Sequence, residues 1–599
     1  MKKLIAIVTI LLLSGNFIAQ EKLTYQKPPK EILELVDAPL APSVWIDSNG
    51  ENVVLFYRDA YKSITELSEA ELRLGGLRIN PKTNIGSRTR FYNNIKVKKA
   101  SEKDARQVSG IPNNPRLSNF TISPNQKMVA FLNTVEDGVQ LWLADIENGT
   151  AKQLSTLKVN ANMGNPINWF KDGSALLVNV IPKDRKELIN TDEAVPDGPT
   201  ITVSDGEKAQ NRTYQDLLSS PNDEYNFEQL ALSEIKKISV EGKVADFLPT
   251  AMYDDIDFSP DGNYLMVSTI KRPFSYIVPY SRFPFETTIY SSQGKLIQKV
   301  NDVPLNEVEP KGFMATRMGK RSMNWRADKP ATIYWAEALD KGDPEVKVDH
   351  RDAVYELQAP FNGKGKLLLK TINRYSGITW GNDNLAIATD YWWNDRNTKS
   401  YLFNPSNASQ TPKIIFDRNY QDRYNDPGNF VTTRNDFDER VLEVVDGNAF
   451  LMGDGYSEEG QFPFIDEFNL KTQKTKRIYK SQYTDKLENL NSAIDMKKGK
   501  ILVRIESQNE YPNYYFRNIK KKNDLTPVTS FENPFKSIQN VHKEVITYNR
   551  EDGLELEGTL YLPIGYDMQK KEKMPMILWA YPREFKDKNS ASQNTTNPN

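Results

Sequence analysis

The chain has 599 residues, 38% of them apolar, and a net charge of −1 from 78 basic and 79 acidic side chains. It is too long for one ordinary core, its composition is globular, and it lacks the basic surplus of a nucleic-acid binder. With no cysteine and only His350 and His542 as imidazoles, it can hold no disulfide, catalytic thiol, thiolate zinc site, lipidated cysteine anchor or three-histidine metal site.

Residues 1–20 read as a signal peptide. Lys2 and Lys3 form its charged start and Leu4 to Leu13 its apolar core, while Ser14 to Gln20 is the cleavage zone. Phe17 leaves the exact bond open, and an uncleaved anchor is the alternative. The apolar run is too short to span a bilayer, and no later stretch approaches the roughly twenty residues needed. The mature protein is expected in the periplasm or outside the cell, with no membrane partner after signal removal.

Residues 21–43 form an N-terminal segment, in which Pro28 to Asp37 predicts a short amphipathic helix with Ile32, Leu33 and Val36 on one side. From 44 to 535 one phrase recurs: a polar turn, then a short β-branched or aromatic strand. It appears as Ser123-Pro124-Asn125 before Met128–Leu132, Lys171-Asp172-Gly173 before Ala175–Ile181, and most clearly as Ser259-Pro260-Asp261-Gly262 before Tyr264–Thr269. Looser copies begin at Arg326, Gly381, Asp446 and Lys497, and Asp47 to Tyr57 reads as one more. Such turns supply the positive-φ positions of antiparallel hairpins. A recurrence at roughly 50 to 65 residues, with one longer gap, predicts a mainly β fold, a seven- or eight-bladed β-propeller. Unrelated β-sandwiches are the alternative. An insertion at about 182–249 predicts a helix from Pro221 to Ile235, with Ser220 as N-cap and Asp223 and Glu224 complementing its dipole.

The pattern changes near Val541, and 536–599 read as the incomplete start of an α/β-hydrolase domain. Glu544–Tyr548 and Leu554–Leu562 predict a hairpin around Glu551-Asp552-Gly553. The continuous apolar run Met574 to Tyr581 predicts a strand buried on both faces.

Several longer phrases resemble the prolyl-oligopeptidase family of serine peptidases, most closely its glutamyl endopeptidase branch. They are Arg212-Thr213-Tyr214-Gln215-Asp216-Leu217-Leu218, Arg272-Pro273-Phe274-Ser275-Tyr276 with Val278-Pro279 and Arg282-Phe283-Pro284, and Arg321-Ser322-Met323-Asn324-Trp325-Arg326-Ala327-Asp328-Lys329-Pro330. Asp417-Arg418-Asn419-Tyr420 and Leu578-Trp579-Ala580-Tyr581-Pro582 with Glu584-Phe585-Lys586 complete the set. The resemblance implies a propeller that gates access to a hydrolase domain, peptide substrates cut after glutamate, and no cofactor or metal. No G-x-S-x-G elbow occurs; Gly455-Tyr456-Ser457-Glu458-Glu459-Gly460 has the wrong spacing. The Ser-Asp-His residues are therefore expected beyond the last residue, and this chain is expected to be inactive.

By the same resemblance Tyr581 is the oxyanion candidate, the alternative being a core tyrosine at a strand end. A glutamyl substrate needs a guanidinium partner, for which Arg272, Arg282, Arg317 and Arg321 are candidates, each alternatively a partner of a blade carboxylate. His350 and His542 read as surface or hairpin residues, and Gly453-Asp454-Gly455 as a loop, since it lacks the spaced oxygens of a calcium site. The competing function is a stand-alone propeller that binds peptides or proteins without cutting them.

Overall fold

A computed structural model describes residues 26–190, 193, 206, 213–570 and 572–595. The expected signal peptide lies outside them, as does Arg212. No helix among the described residues is long and apolar enough to cross a membrane.

The recurring turn works as its residue types suggest. In Ser259-Pro260-Asp261-Gly262 the Ser259 hydroxyl donates to Asp261 Oδ1 at 2.6 Å and accepts from Tyr264 N at 3.0 Å, and Gly262 takes φ +71°. Ser123 repeats this with Asn125 and Met128, Gln126 occupying the positive-φ position. Each such turn reverses the chain into a two-residue alternation of buried side chains.

The strands assemble, among the described residues, into eight successive blades over 43–107, 117–153, 167–251, 252–303, 321–371, 374–419, 429–480 and 487–527. This decides between the two expected blade numbers. Blades three and four share one long strand, Val244–Phe258. Its residues 244–251 pair with Ser233–Ser239 and its residues 252–258 with Tyr264–Ile270.

Alternate side chains on one strand serve opposite interfaces. Val129 and Phe131 of blade two pack with Val54 and Ile95 of blade one, while Ala130 and Leu132 pack with Leu176 and Val178 of blade three. The same arrangement continues round to the last joint, where Leu502 and Phe516 of blade eight cluster with Val53 and Leu55 of blade one. Among the described residues no strand crosses that joint, and apolar side-chain packing closes the ring.

In each blade the first and third strands run opposite to the second and fourth. The loops joining strands two and three therefore share one face with the links between blades. Among the described residues that face, called upper here, carries 58–93, 182–190, 213–232, 271–284, 304–320 and 339–351. The short Asp-Gly and Asn-Gly turns occupy the other.

Three expectations require correction. The insertion helix spans Pro221–Ala231, not Pro221 to Ile235, and Ser233–Ser239 is a blade strand. Ile235 is buried where it pairs with Leu248, so the demand of the sheet overrides helix continuation. The segment outside the sheets accordingly ends at Leu232, not near 249. Third, Met574 to Tyr581 forms no strand and lies exposed, Ile577 at 97% and Trp579 at 83%. A strand requires backbone partners, and none of the described residues hydrogen-bonds to this run. The Lys30–Val36 helix forms as expected, yet Ile32 and Val36 remain exposed. The hairpin His542–Asn549 with Glu555–Leu562 is present.

Candidate functional site

Three stretches from distant parts of the chain meet on the upper face. Leu74 and Ile79 come from a small sheet inserted in blade one, Leu218, Phe227 and Leu230 from the insertion, and Phe274, Val278 and Phe283 from the long loop of blade four. Together they form one apolar cluster. The rings of Phe227, Phe274 and Phe283 lie 5.1–5.6 Å apart. Ser220 caps the helix by accepting from Asp223 N, as its position predicts. Gly76 permits the closest approach: at φ +89° its missing Cβ would stand 2.8 Å from Pro279 Cβ.

Of the four candidate arginines, Arg272 and Arg282 contact this cap, Arg317 and Arg321 lie in and after the link from blade four to blade five, and their environments differ. Arg272 donates to Glu228 through Nε (3.2 Å) and Nη2 (3.0 Å) and to Glu224 through Nη1 (2.7 Å), while stacking on Phe274. Arg282 donates from Nη2 to Glu309 at 2.8 Å, and its Nη1 is buried without an acceptor. Arg321 forms an ion pair with fully buried Asp352, leaving its Nε without an acceptor. Arg317 alone of the four has no carboxylate within ion-pair distance among the described residues. Its guanidinium donates to the carbonyl oxygens of Met318 and Lys320 and lies over Phe285. Burial, and then the positive charge of Arg321, lower its hold on its proton, with Glu309 opposing. An under-compensated, partly desolvated cation favours an incoming anion.

A network that the sequence did not signal lies beneath these residues. Arg374 donates to Asp340 (2.7 Å), Asp352 (3.2 Å) and the Met314 carbonyl (2.9 Å), and Arg351 reaches Asp340 at 2.8 Å. Asp340 and Asp352 are fully buried. Five arginines (282, 317, 321, 351 and 374) thus face three carboxylates (309, 340 and 352), a local excess of positive charge. Asp340, in the turn Asp340-Lys341-Gly342-Asp343, resembles any other turn residue by sequence.

The run that contains Tyr581 leads into a segment anchored on the same face. Gln421 donates to the Glu584 carbonyl at 2.6 Å, Asn419 to Asp587 at 2.5 Å, and Lys586 lies over the Trp393 ring. Two of the family-like phrases, 417–420 and 584–586, therefore meet. Tyr581 itself is 78% exposed and is brought together with none of the candidate arginines. His350 is exposed and His542 lies 3.2 Å from Glu544. Asp454 of the glycine loop pairs with Arg423. No group able to hold a metal ion occurs among the described residues.

Comparison with known proteins gives two long matches. A probable chloroplastic glutamyl endopeptidase of Oryza sativa subsp. japonica is 34% identical over 604 residues, covering 96% of this chain. One of Arabidopsis thaliana is likewise 34% identical over 96% of the chain. The chain is a homologue of the glutamyl endopeptidases. It spans 64% and 62% of the lengths of these two relatives. No protein-family model matches. Among solved structures, dipeptidyl peptidase 4 of Porphyromonas gingivalis is 10% identical with a TM-score of 0.48, over 91% of this chain and 68% of that one. The β-propeller domain of the Trilobed protease from Pyrococcus furiosus is 10% identical with a TM-score of 0.32, over 70% of this chain and 99% of that one.

Proposed function

We propose that this chain is the substrate-selecting part of an exported serine peptidase that hydrolyses peptides after glutamate. The single observation that carries the reading is the homology to glutamyl endopeptidases over nearly the whole chain. The closed ring supports a gating role, because an assembly of eight blades over one entrance admits flexible peptides and obstructs folded proteins. Arg317 supports the glutamate preference as the candidate with no carboxylate of its own. A buried guanidinium that pairs with a substrate carboxylate discriminates against amides, since the amide leaves the charge unsatisfied. In this reading Arg282 and Arg321 are occupied by Glu309 and Asp352 and leave Arg317 as the free cation of the four among the described residues, and Arg272 belongs to the cap. Tyr581 is proposed as the oxyanion donor, with a Ser-Asp-His triad supplied from outside these 599 residues.

The experiment is cleavage of matched peptides differing only in the residue before the scissile bond, by the intact protein that carries this chain. Preference for Glu over Gln, Asp, Pro and Ala is expected; equal cleavage after proline contradicts the reading. A stand-alone binding propeller would cleave none of them.

A further inference from the structure

On the same upper face, blades one and two enclose a second cleft of about 810 Å³, distant in sequence from the arginine network. Its size falls within the range of ligand-binding clefts. Its walls come from the blade-one loop, between Arg58 and Glu69 and between Arg88 and Asn93, and from Asn114 to Arg116 of the link to blade two. An adjoining cleft of about 580 Å³ shares Glu69, Asn114 and Arg116 with it, so the two form a continuous groove.

The charges lining the larger cleft are five basic side chains, Arg58, Lys62, Arg88, Arg90 and Arg116, against three acidic ones, Asp59, Glu66 and Glu69. The acids are already engaged. Glu69 pairs with Arg116 at 2.9 Å, Glu66 closes a capping box with Ser63, and Asp59 accepts from Asn93 at 2.9 Å. Arg88 is held by Glu71 at 3.1 Å and Lys62 by the Ser87 carbonyl at 2.8 Å. Arg58 and Arg90 are left with no carboxylate at ion-pair distance among the described residues. The groove also exposes Tyr61 and Leu67, at 69% and 63%.

We propose that this groove is a secondary docking site for acidic side chains of a peptide substrate, with Arg58 and Arg90 as the cations that receive them. Fork-shaped guanidinium groups suit carboxylates, and the adjacent aromatic and aliphatic surface suits the remainder of an extended peptide. The consequence is selection for peptides carrying acids away from the cleaved bond as well as at it. The proposal rests on the peptidase reading but acts through residues separate from Arg317.

The test is fluorescence anisotropy of two labelled peptides with the 599-residue chain, one with glutamates flanking the cleavage position and one with glutamines there. The acidic peptide is expected to bind about tenfold or more tightly, less so at high salt. The double variant Arg58→Glu/Arg90→Glu is expected to abolish that preference, and Arg58→Lys/Arg90→Lys to retain part of it. The single exposed substitution Arg90→Ala keeps the test valid if the double reversal fails to fold. Equal binding of both peptides, or a preference unchanged in both Arg90→Ala and the double reversal, overturns the proposal. Preferential binding of inorganic polyphosphate or of anionic vesicles over the acidic peptide overturns the assigned occupant. Because binding is read without cleavage, failure here leaves the glutamate preference of the intact enzyme to be judged separately.

Discussion

Arg272 grips Glu228 through two near-parallel hydrogen bonds, Nε to Oε1 at 3.2 Å and Nη2 to Oε2 at 3.0 Å. The pair ties the long loop of blade four to the insertion helix and so assigns this arginine to the cap. Arg272→Lys keeps the charge but loses the fork. It is expected to destabilise the protein by about 1 kcal/mol or less, the side chain being half exposed, and to leave the Glu-to-Gln cleavage ratio unchanged. Thermal melting and the peptide ratio together check this; a collapsed ratio would make Arg272 a substrate residue.

Gly76 faces Pro279 at a backbone angle that side chains rarely adopt. Gly76→Ala is expected to cost about 1–3 kcal/mol through strain and contact. Hydrogen exchange should localise the loss to the cap helix and the loop of blade four, with the blades unaffected. Uniform loss across the blades would contradict the view that the cap is a satellite core.

The propeller was legible because its turn phrase repeats and each copy has a local physical meaning, as Ser259, Asp261 and Gly262 demonstrate. The exact blade number was not, because the first copy, Asp47 to Tyr57, carries the turn phrase only loosely, and its pairing with Asn94–Lys99 across a 36-residue loop is a long-range contact that local residue types do not carry. The helix end was misjudged because pairing of Ser233–Ser239 with Ala175–Val180 is a long-range demand that local residue types do not carry. For the same reason the candidate arginines were found as a set, while their separation into paired Arg272, Arg282 and Arg321 and unpaired Arg317 depended on Glu224, Glu228, Glu309 and Asp352. Arg58 and Arg90 gave no signal at all, since only folding shows which basic residues remain without partners.

Asp257 lies on the first strand of blade four and keeps solvent exposure, yet the protein crowded around it disfavours the charged form and raises its pKa to about 7, with Asp255 and Glu439 adding to the rise and Lys171 opposing it. A carboxyl whose folded pKa exceeds its unfolded value binds more protons when folded. Its contribution to stability therefore falls as pH rises from about 4 to about 7 and is constant above that. Asp257→Asn is expected to remove this slope from the pH dependence of chemical denaturation. An identical slope in the variant would contradict the assignment.

The chain contains no G-x-S-x-G elbow, so the purified 599 residues are expected not to label with a fluorophosphonate probe, which requires an activated serine. Stoichiometric labelling would place a nucleophile within the propeller. In the intact enzyme, Tyr581→Phe is expected to lower kcat about ten- to a thousand-fold if its hydroxyl meets the developing oxyanion. An unchanged kcat would return Tyr581 to a packing role.

The most direct test of the central claim is kcat/KM for a Glu peptide and its Gln twin, measured on the intact enzyme and on its Arg317→Met variant. Arg317→Met is expected to reduce cleavage of the Glu peptide about a hundredfold and to bring the two substrates close to parity, because the lost charged hydrogen bond served only the carboxylate. A Glu preference that survives this substitution intact would show that the propeller's unpaired arginine does not select the substrate.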